Sequence, residues 1–271
     1  MANFEEALSE PAPAKLNLAL HVRGKLADGR HAIETVFAFC TDGDQLEAVA
    51  ANDLSLDIGG PFAEALEGDN LVLTAAIALR ETAAVTHGGA LRLTKKLPVA
   101  SGIGGGSADA AAALRLLTRL WSIDPAHAAA VAPRLGADVP ACLLSMTARG
   151  EGAGDALTLI DDPRITASPV LLVNPGIKLS TGAVFAAWGG EDRGPLGDWT
   201  EGRNDLEGPA RALVPEIGDV LDWLGGQHGA GFVRMSGSGA TCFALFADEG
   251  ARDAAAAACP TNWWRLATFL R

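Results

Sequence analysis

A chain of 271 residues, 49% apolar and 20% charged, can form one large domain or two ordinary ones around a sizeable core. With 33 acidic residues against 21 basic ones the net charge is −12, a surface that repels nucleic acid and anionic lipid, so any bound phosphate has to be drawn by local donors. No apolar run approaches the roughly 20 residues of a membrane span, and the acidic start MANFEEALSE has neither the basic nor the apolar region of a signal peptide. The expected setting is cytoplasmic, with no nucleic-acid or membrane partner, and the sequence leaves the oligomeric state open.

Along the chain, residues 13–23 alternate and read as a strand, followed by a turn over 27–30. Strands are expected over 32–39, near 44–50 and over 54–58. Asp69 or Asn70 can cap a helix from Leu71 to about Val85, with Leu71, Ala75, Ala78 and Thr82 on one face. A strand over 90–96 leads into a glycine loop. A strong helix over 107–121 leaves it, with Ala110, Leu114, Leu117 and Trp121 as its apolar stripe. Asp124 followed by Pro125 opens another helix. Residues 168–174 read as a buried strand, and Ser180 or Thr181 caps a short helix. Helices fit 204–213 and 215–225, strands fit 231–235 and 241–247, a helix fits 249–258, and a last strand covers 263–270. The second half therefore reads β-α-α-β-β-α-β, close to a split βαβ sandwich. The expected architecture is two α+β layers with a cleft between them.

Cys40, Cys142, Cys242 and Cys259 form no closely spaced pair and sit mostly in apolar runs, so they read as buried reduced thiols. The five histidines show no zinc spacing, and no protein metal ligand is assigned.

The most informative stretch is the loop Pro98-Val99-Ala100-Ser101-Gly102-Ile103-Gly104-Gly105-Gly106-Ser107-Ala108. Its glycines allow positive φ and close backbone approach. The amides and dipole of the following helix start then favour an anion such as a triphosphate. Ser107 can add a hydroxyl to a phosphate or to Mg²⁺. The stretch carries no Gly-Lys-Ser/Thr and opens no dinucleotide-binding βαβ unit. Without a ligand it would simply be a tight connection.

The segment PVASGIGGGSADAA resembles the phosphate-loop motif of the GHMP kinases. Near the start PAKLNLALHV, and near the end VRMSGSGATCFALF, are similar to the first and third motifs of that superfamily, in the same order. Within it, PAKLNL, ADGRH, DGDQL at 42–46, LGADVPACL at 135–143, GEG at 150–152, NPGIKLSTGAVF at 174–185 and RNDLE at 203–207 resemble the 4-diphosphocytidyl-2-C-methyl-D-erythritol kinase family. The resemblance implies a two-domain α+β GHMP-kinase-like architecture. Its N-terminal domain, residues 1–155, is ribosomal-protein-like and binds ATP. Its C-terminal domain, residues 156–271, is ferredoxin-like and completes the substrate cleft.

The implied reaction uses ATP with Mg²⁺ to phosphorylate the 2-hydroxyl of a cytidine diphosphate-linked methylerythritol, in the non-mevalonate isoprenoid route. The same resemblance makes Lys15 and Asp138 the catalytic pair. It puts Pro98–Ala108, Asn70 and Leu71 on the nucleotide, and Asn17, Arg30, His31, Thr181 and Phe185 on the substrate. Arg30 stands where the family's DGYH turn has tyrosine, and the chain contains no tyrosine. A guanidinium plane can stack on a base or meet a phosphate.

Each assignment has a plainer counterpart in the pattern. Asp138 can cap the helix that begins before Val139-Pro140, and Lys15, on the strand face opposite Leu16, Leu18 and Leu20, can be a solvated lysine. His31 can be a surface residue and Phe185 a core one. Ser236–Ala240, expected to reach into the cleft beside the ATP loop, can be a hairpin turn; Asn204 and Asp205 can be a helix start; and Lys95 and Lys96, expected to flank the nucleotide, can be solvent-facing lysines at a strand end. Two other functions compete: another GHMP kinase, of homoserine or mevalonate type, and a nucleotide-binding sensor on a kinase scaffold.

Overall fold

The computed structural model describes residues 4–66, 68 and 70–271. The chain falls into two compact units. The first comprises the chain up to Ala14, then Asp42–Val99 and Gly104–Ser145; the second comprises Lys15–Thr41, Ala100–Ile103 and Met146–Arg271.

In the first unit run the start of β1 (Leu8–Lys25), the end of β2 (His31–Ala51), β3 (Leu54–Gly59), α1 (Leu71–Thr82), β4 (Gly88–Thr94), α2 (Gly105–Leu120), α3 (Pro125–Leu135) and α4 (Val139–Leu144). β4 pairs antiparallel with β2, from Gln45↔Thr94 to Ala51↔Gly88, and parallel with β3. The separate strands expected over 32–39 and near 44–50 are one continuous strand, β2. The DGD stretch resembles a turn, but Gly43 is there for close approach: a Cβ on it would lie 2.1 Å from the Ala12 carbonyl oxygen.

Asn70 caps α1, its Oδ1 accepting from the Val72 N–H at 2.8 Å. Asp69, the alternative cap, lies outside the described residues. The buried face of α1 is Val72, Ala75, Ala76 and Leu79, so Leu71 is left at the surface, contrary to the expected stripe.

Helix α2 also departs from its expected single stripe. Ala108 through Leu114, with Leu116, Leu117 and Thr118, are all buried. α1, α3 and α4 pack around it, and alanine lets them approach closely. Arg115 is accommodated because its guanidinium donates to Glu10 and to the carbonyls of Pro11 and Cys142. Asp124 caps α3 through the Ala126 N–H at 2.8 Å, with Pro125 in the first turn.

The second unit holds the remainder of β1 and β2, then β5 (Ala148–Glu151), β6 (Ala156–Leu159), β7 (Pro169–Asn174), α5 (Thr181–Ala187), α6 (Glu207–Leu213), α7 (Glu216–Gly225), β8 (Ala230–Met235), β9 (Cys242–Phe246), α8 (Glu249–Ala258) and β10 (Trp264–Phe269). β5 pairs with β2 through Thr35↔Gly150 and with β6; this short hairpin gives too little alternation to be seen in the sequence. A second sheet has the order β10-β7-β9-β8, antiparallel throughout. Its core joins Leu171, Val173, Cys242 and Ala244 to Ile217, Val220 and Leu224 of α7 and Ala255 of α8. All four cysteines are buried and unbridged.

Strand β1 is buried from Ala12 to Val22 on both faces. Its alternation does not separate a core face from a wet face, and residues 15, 17, 19 and 21 are as enclosed as the leucines beside them.

Candidate active site

In the first unit the site is built on the N-terminus of α2. Gly104 occupies the cap in the left-handed region, at φ 66°, and offers no side chain to the first-turn amides. Among the described residues a Cβ on Gly106 would meet only the Leu71 side chain, at 3.6 Å, so that surface borders the start of α1. That places Asn70, Leu71, Gly106 and Ser107 on one patch. Ser107 is half-buried and Gly106 exposed.

Beneath this turn lies a cluster that the sequence did not announce. Lys95 is not solvent-facing: it is 1% exposed, and its ammonium donates to Asp44 and, at 2.6 Å, to Asp109. Asp44 Oδ1 also accepts from the Lys96 and Leu97 N–H groups, which fixes the strand end where the loop begins. Burial pulls the Lys95 ammonium down, but the two carboxylates, Asp109 foremost, overcome this and leave its pKa raised. Burial pushes the Asp109 carboxyl up to about 7 against the pull of Lys95. A Cβ on Gly105 would lie 3.1 Å from Lys95 Nζ, so the helix start rests on the ammonium.

Asp138 stands at the N-cap of α4, half-buried, with helical backbone angles (φ −83°, ψ −15°). It makes no side-chain cap bond there, so the plain capping role read from the pattern does not apply.

In the second unit Lys15 is 3% exposed rather than solvated. Its Nζ donates to Asn17 Oδ1 at 2.9 Å and lies over the Phe37 ring, 4.9 Å from the centroid. The middle of the glycine loop is pinned in this unit. The Ile103 carbonyl accepts from the Lys15 N–H at 2.9 Å, the Ser101 carbonyl from the Thr241 N–H at 3.1 Å, and the Gly102 carbonyl from Ser236 Oγ at 3.0 Å. Gly102 has φ 76°, and a Cβ on it would sit 2.6 Å from the carbonyl oxygens of Ser236 and Gly239. The SGSG stretch is therefore more than a hairpin turn; it is a bed for the loop. Asn204 Nδ2 holds that bed by donating to the Met235 and Gly237 carbonyls, each at 2.8 Å.

A separate cavity of about 530 Å³ in this unit is lined by Lys25, His31, Gly182, Phe185, Ala186, Trp188, Gly189 and Gly190. His31 stacks on Phe185, with centroids 4.5 Å apart and planes at 22°, while Trp188 meets the imidazole edge-on at 5.7 Å. Burial, with the Lys25 charge adding to it, holds His31 below its ordinary pKa, so a neutral imidazole faces the cavity at pH 7. Phe185 is half-buried. Thr181 Oγ1 lies 2.9 Å from Ser238 Oγ, which brings α5 to the SGSG bed. Arg30 is exposed and donates to Asp28 at 2.8 Å and to Asp155 at 3.4 Å. Trp188 and Lys25 were not singled out in the sequence, because a lone tryptophan near a helix end and a lysine before a turn carry no motif. Among the described residues no group of three or more His, Cys, Asp or Glu side chains can hold a metal ion.

Two family models match the chain: the GHMP kinases N terminal domain over residues 70–146 and the GHMP kinases C terminal over residues 187–265. A 4-diphosphocytidyl-2-C-methyl-D-erythritol kinase from Rhizorhabdus wittichii is 52% identical, covering 97% of this chain and 94% of that protein. The chain belongs to the GHMP kinases. A second relative of this GHMP kinase chain, bearing the same name and from Novosphingobium aromaticivorans, is 50% identical over 98% of the chain and 93% of its own length. Among solved structures, a 4-(cytidine 5'-diphospho)-2C-methyl-D-erythritol kinase superposes with a TM-score of 0.83 at 33% identity, covering 97% of this chain and 99% of that one. A homoserine kinase from Cytophaga hutchinsonii, at TM-score 0.72 and 17% identity over 100% of this chain and 96% of its own, shares the fold alone.

Proposed function

We propose that this GHMP kinase transfers the γ-phosphoryl of ATP to the 2-hydroxyl of 4-diphosphocytidyl-2-C-methyl-D-erythritol, a step of non-mevalonate isoprenoid biosynthesis. The observation that carries this reading is the full-length likeness to kinases of that name at about half identity, on a chain whose Lys15 is buried and hydrogen-bonded to Asn17. Residues 1–155 serve as the nucleotide part and residues 156–271 as the part that completes the substrate site.

Phosphoryl transfer passes through a loose transition state, so catalysis is mainly positioning and charge neutralisation. Pro98, Val99, Ala100, Ser101, Gly102, Ile103, Gly104, Gly105, Gly106, Ser107 and Ala108 cradle the triphosphate. Its oxygens face the first amides of α2, where the helix dipole favours them. Leu71, exposed beside Gly106, and the half-buried Asn70 border the nucleoside. Ser107 offers the hydroxyl suited to a phosphate or to Mg²⁺, whose role when bound is to neutralise charge on the phosphate oxygens. Asp138 aligns the alcohol and accepts its proton. Lys15 polarises the attacking oxygen, and Asn17 contacts the substrate. The cytidine enters the cavity beside His31 and Phe185, with Thr181 on its border and Arg30 on the diphosphate side.

The direct test is ADP release by the purified protein with ATP, Mg²⁺ and the cytidyl substrate, against homoserine and mevalonate. Turnover of either of those alcohols with none of the cytidyl compound rejects the proposal. Two variants probe its halves. Gly105→Val drives a branched side chain toward the Lys95 ammonium and is expected to weaken ATP binding at least about tenfold by calorimetry, since the amide cradle must shift. Unchanged affinity would remove the loop from the site. Phe185→Ala is expected to raise KM for the cytidyl substrate about tenfold, the scale of one lost base–aromatic stack, with KM for ATP unaltered.

A further inference from the structure

Around Lys15 the structure contains a hydrogen-bond relay whose end is Thr35, a residue with no role in the reading above. Thr35 lies on β2 with 0% exposure; Asn17, at 2%, and Lys15 lie on β1. Thr35 Oγ1 lies 2.6 Å from the Ala19 carbonyl oxygen and 2.8 Å from Asn17 Nδ2. A hydroxyl has one proton. Two oxygens at 2.6 Å require that proton between them, so it goes to Ala19. The hydroxyl is then only an acceptor toward Asn17, and the amide must present its NH₂ to Thr35 and its carbonyl to the opposite side. On that side is the Lys15 ammonium, 2.9 Å away. The choice between amide nitrogen and oxygen, which shape alone leaves open, is decided by the threonine.

We propose that Thr35 is a positioning residue for phosphoryl transfer: its hydroxyl sets the Asn17 amide so that the carbonyl holds the Lys15 ammonium in its working place. The inference rests on the reading that Lys15 acts on the reacting oxygen. Reversed, the amide would turn its NH₂ toward an ammonium and push it away. The Phe37 face attracts the charge but fixes no direction. The backbone of Asn17 is clamped independently, its N–H donating to Ser236 Oγ at 3.2 Å while Ser236 donates to the Gly102 carbonyl. Gly237 keeps the relay open: a Cβ there would meet the Gly102 carbonyl oxygen at 2.8 Å and Asn17 Oδ1 at 3.2 Å, at φ 55°.

The test compares Thr35→Val, which keeps the shape and removes the hydroxyl, with Thr35→Ser, which keeps the hydroxyl. Thr35→Val is expected to lower kcat about 10- to 100-fold, the scale of a displaced reacting group, with KM for ATP within about twofold. Thr35→Ser is expected to recover most of kcat. Full kcat in Thr35→Val overturns the proposal. So does an equal loss in Thr35→Ser, which would assign the effect to the methyl and its packing. Should the valine variant not fold, Thr35→Ala removes the same hydroxyl without new bulk, and its kcat must fall likewise or the proposal fails. Lys15→Ala separates the two readings: if that variant retains turnover, the role of Lys15 fails, whereas an inactive Lys15→Ala beside a fully active Thr35→Val sinks only the role of Thr35.

Discussion

Replacing Lys95 by methionine is expected to destabilise the protein by about 3–5 kcal/mol, the usual cost of removing one partner from a buried ion cluster. Methionine fills the space of the lysine stem but leaves Asp44 and Asp109 facing each other without the ammonium that both contact. Asp44 keeps the Lys96 and Leu97 amides, so Asp109, whose Oδ1 has no hydrogen-bond partner among the described residues, is the group that takes up a proton. The pH dependence follows in sign. The Asp109 carboxyl is held at about 7 in the folded protein and sits near 3.9 when unfolded, so the folded state binds the extra proton and this group's contribution is lost as pH rises from about 4 to 7. In Lys95→Met that carboxyl moves higher still, and stability keeps falling above pH 7 where the wild type levels off. Urea titrations at pH 6 and pH 9 should therefore show a larger deficit at pH 9. An equal deficit at both pH values would mean that the cluster acts by packing and not by charge. Because the cluster underlies Gly105, KM for ATP should rise in the same variant.

Asp138→Asn is expected to lower kcat by about 10²- to 10⁴-fold, the range for loss of a positioned proton acceptor, while ATP affinity stays within about threefold. The amide keeps the shape of the carboxylate and loses its basicity. Because Asp138 makes no side-chain cap bond on α4, the substitution removes no helix cap. Rapid-quench measurement of the transfer step, beside calorimetry with ATP, separates the outcomes. Parallel losses of affinity and of rate would assign Asp138 to binding or folding instead of proton transfer.

Much of this protein is written locally. Asn70, Asp124 and Ser180 announce the starts of α1, α3 and α5, because a cap is a contact within three residues. The loop from Pro98 to Ala108 reads as an anion-site candidate because glycines ahead of a helix leave its first amides open to a ligand. The β8–β9 hairpin and α8 follow from turn chemistry and periodicity over short spans. Together with the order of the motifs, these local signals suffice for the fold class and the family. Tertiary structure alone decided which polar groups are buried and what they face. Lys15 and Lys95 read as solvated lysines because alternation reports one covered face, whereas β1 is covered on both and Lys95 is enclosed by Asp44, 51 residues earlier, and by Asp109, 14 residues later. Thr35 gained a role only when β2 was laid beside β1, bringing its hydroxyl to an amide 18 residues away. A desolvated charge takes its energy from partners brought together by the fold, and no pattern confined to neighbouring residues records them.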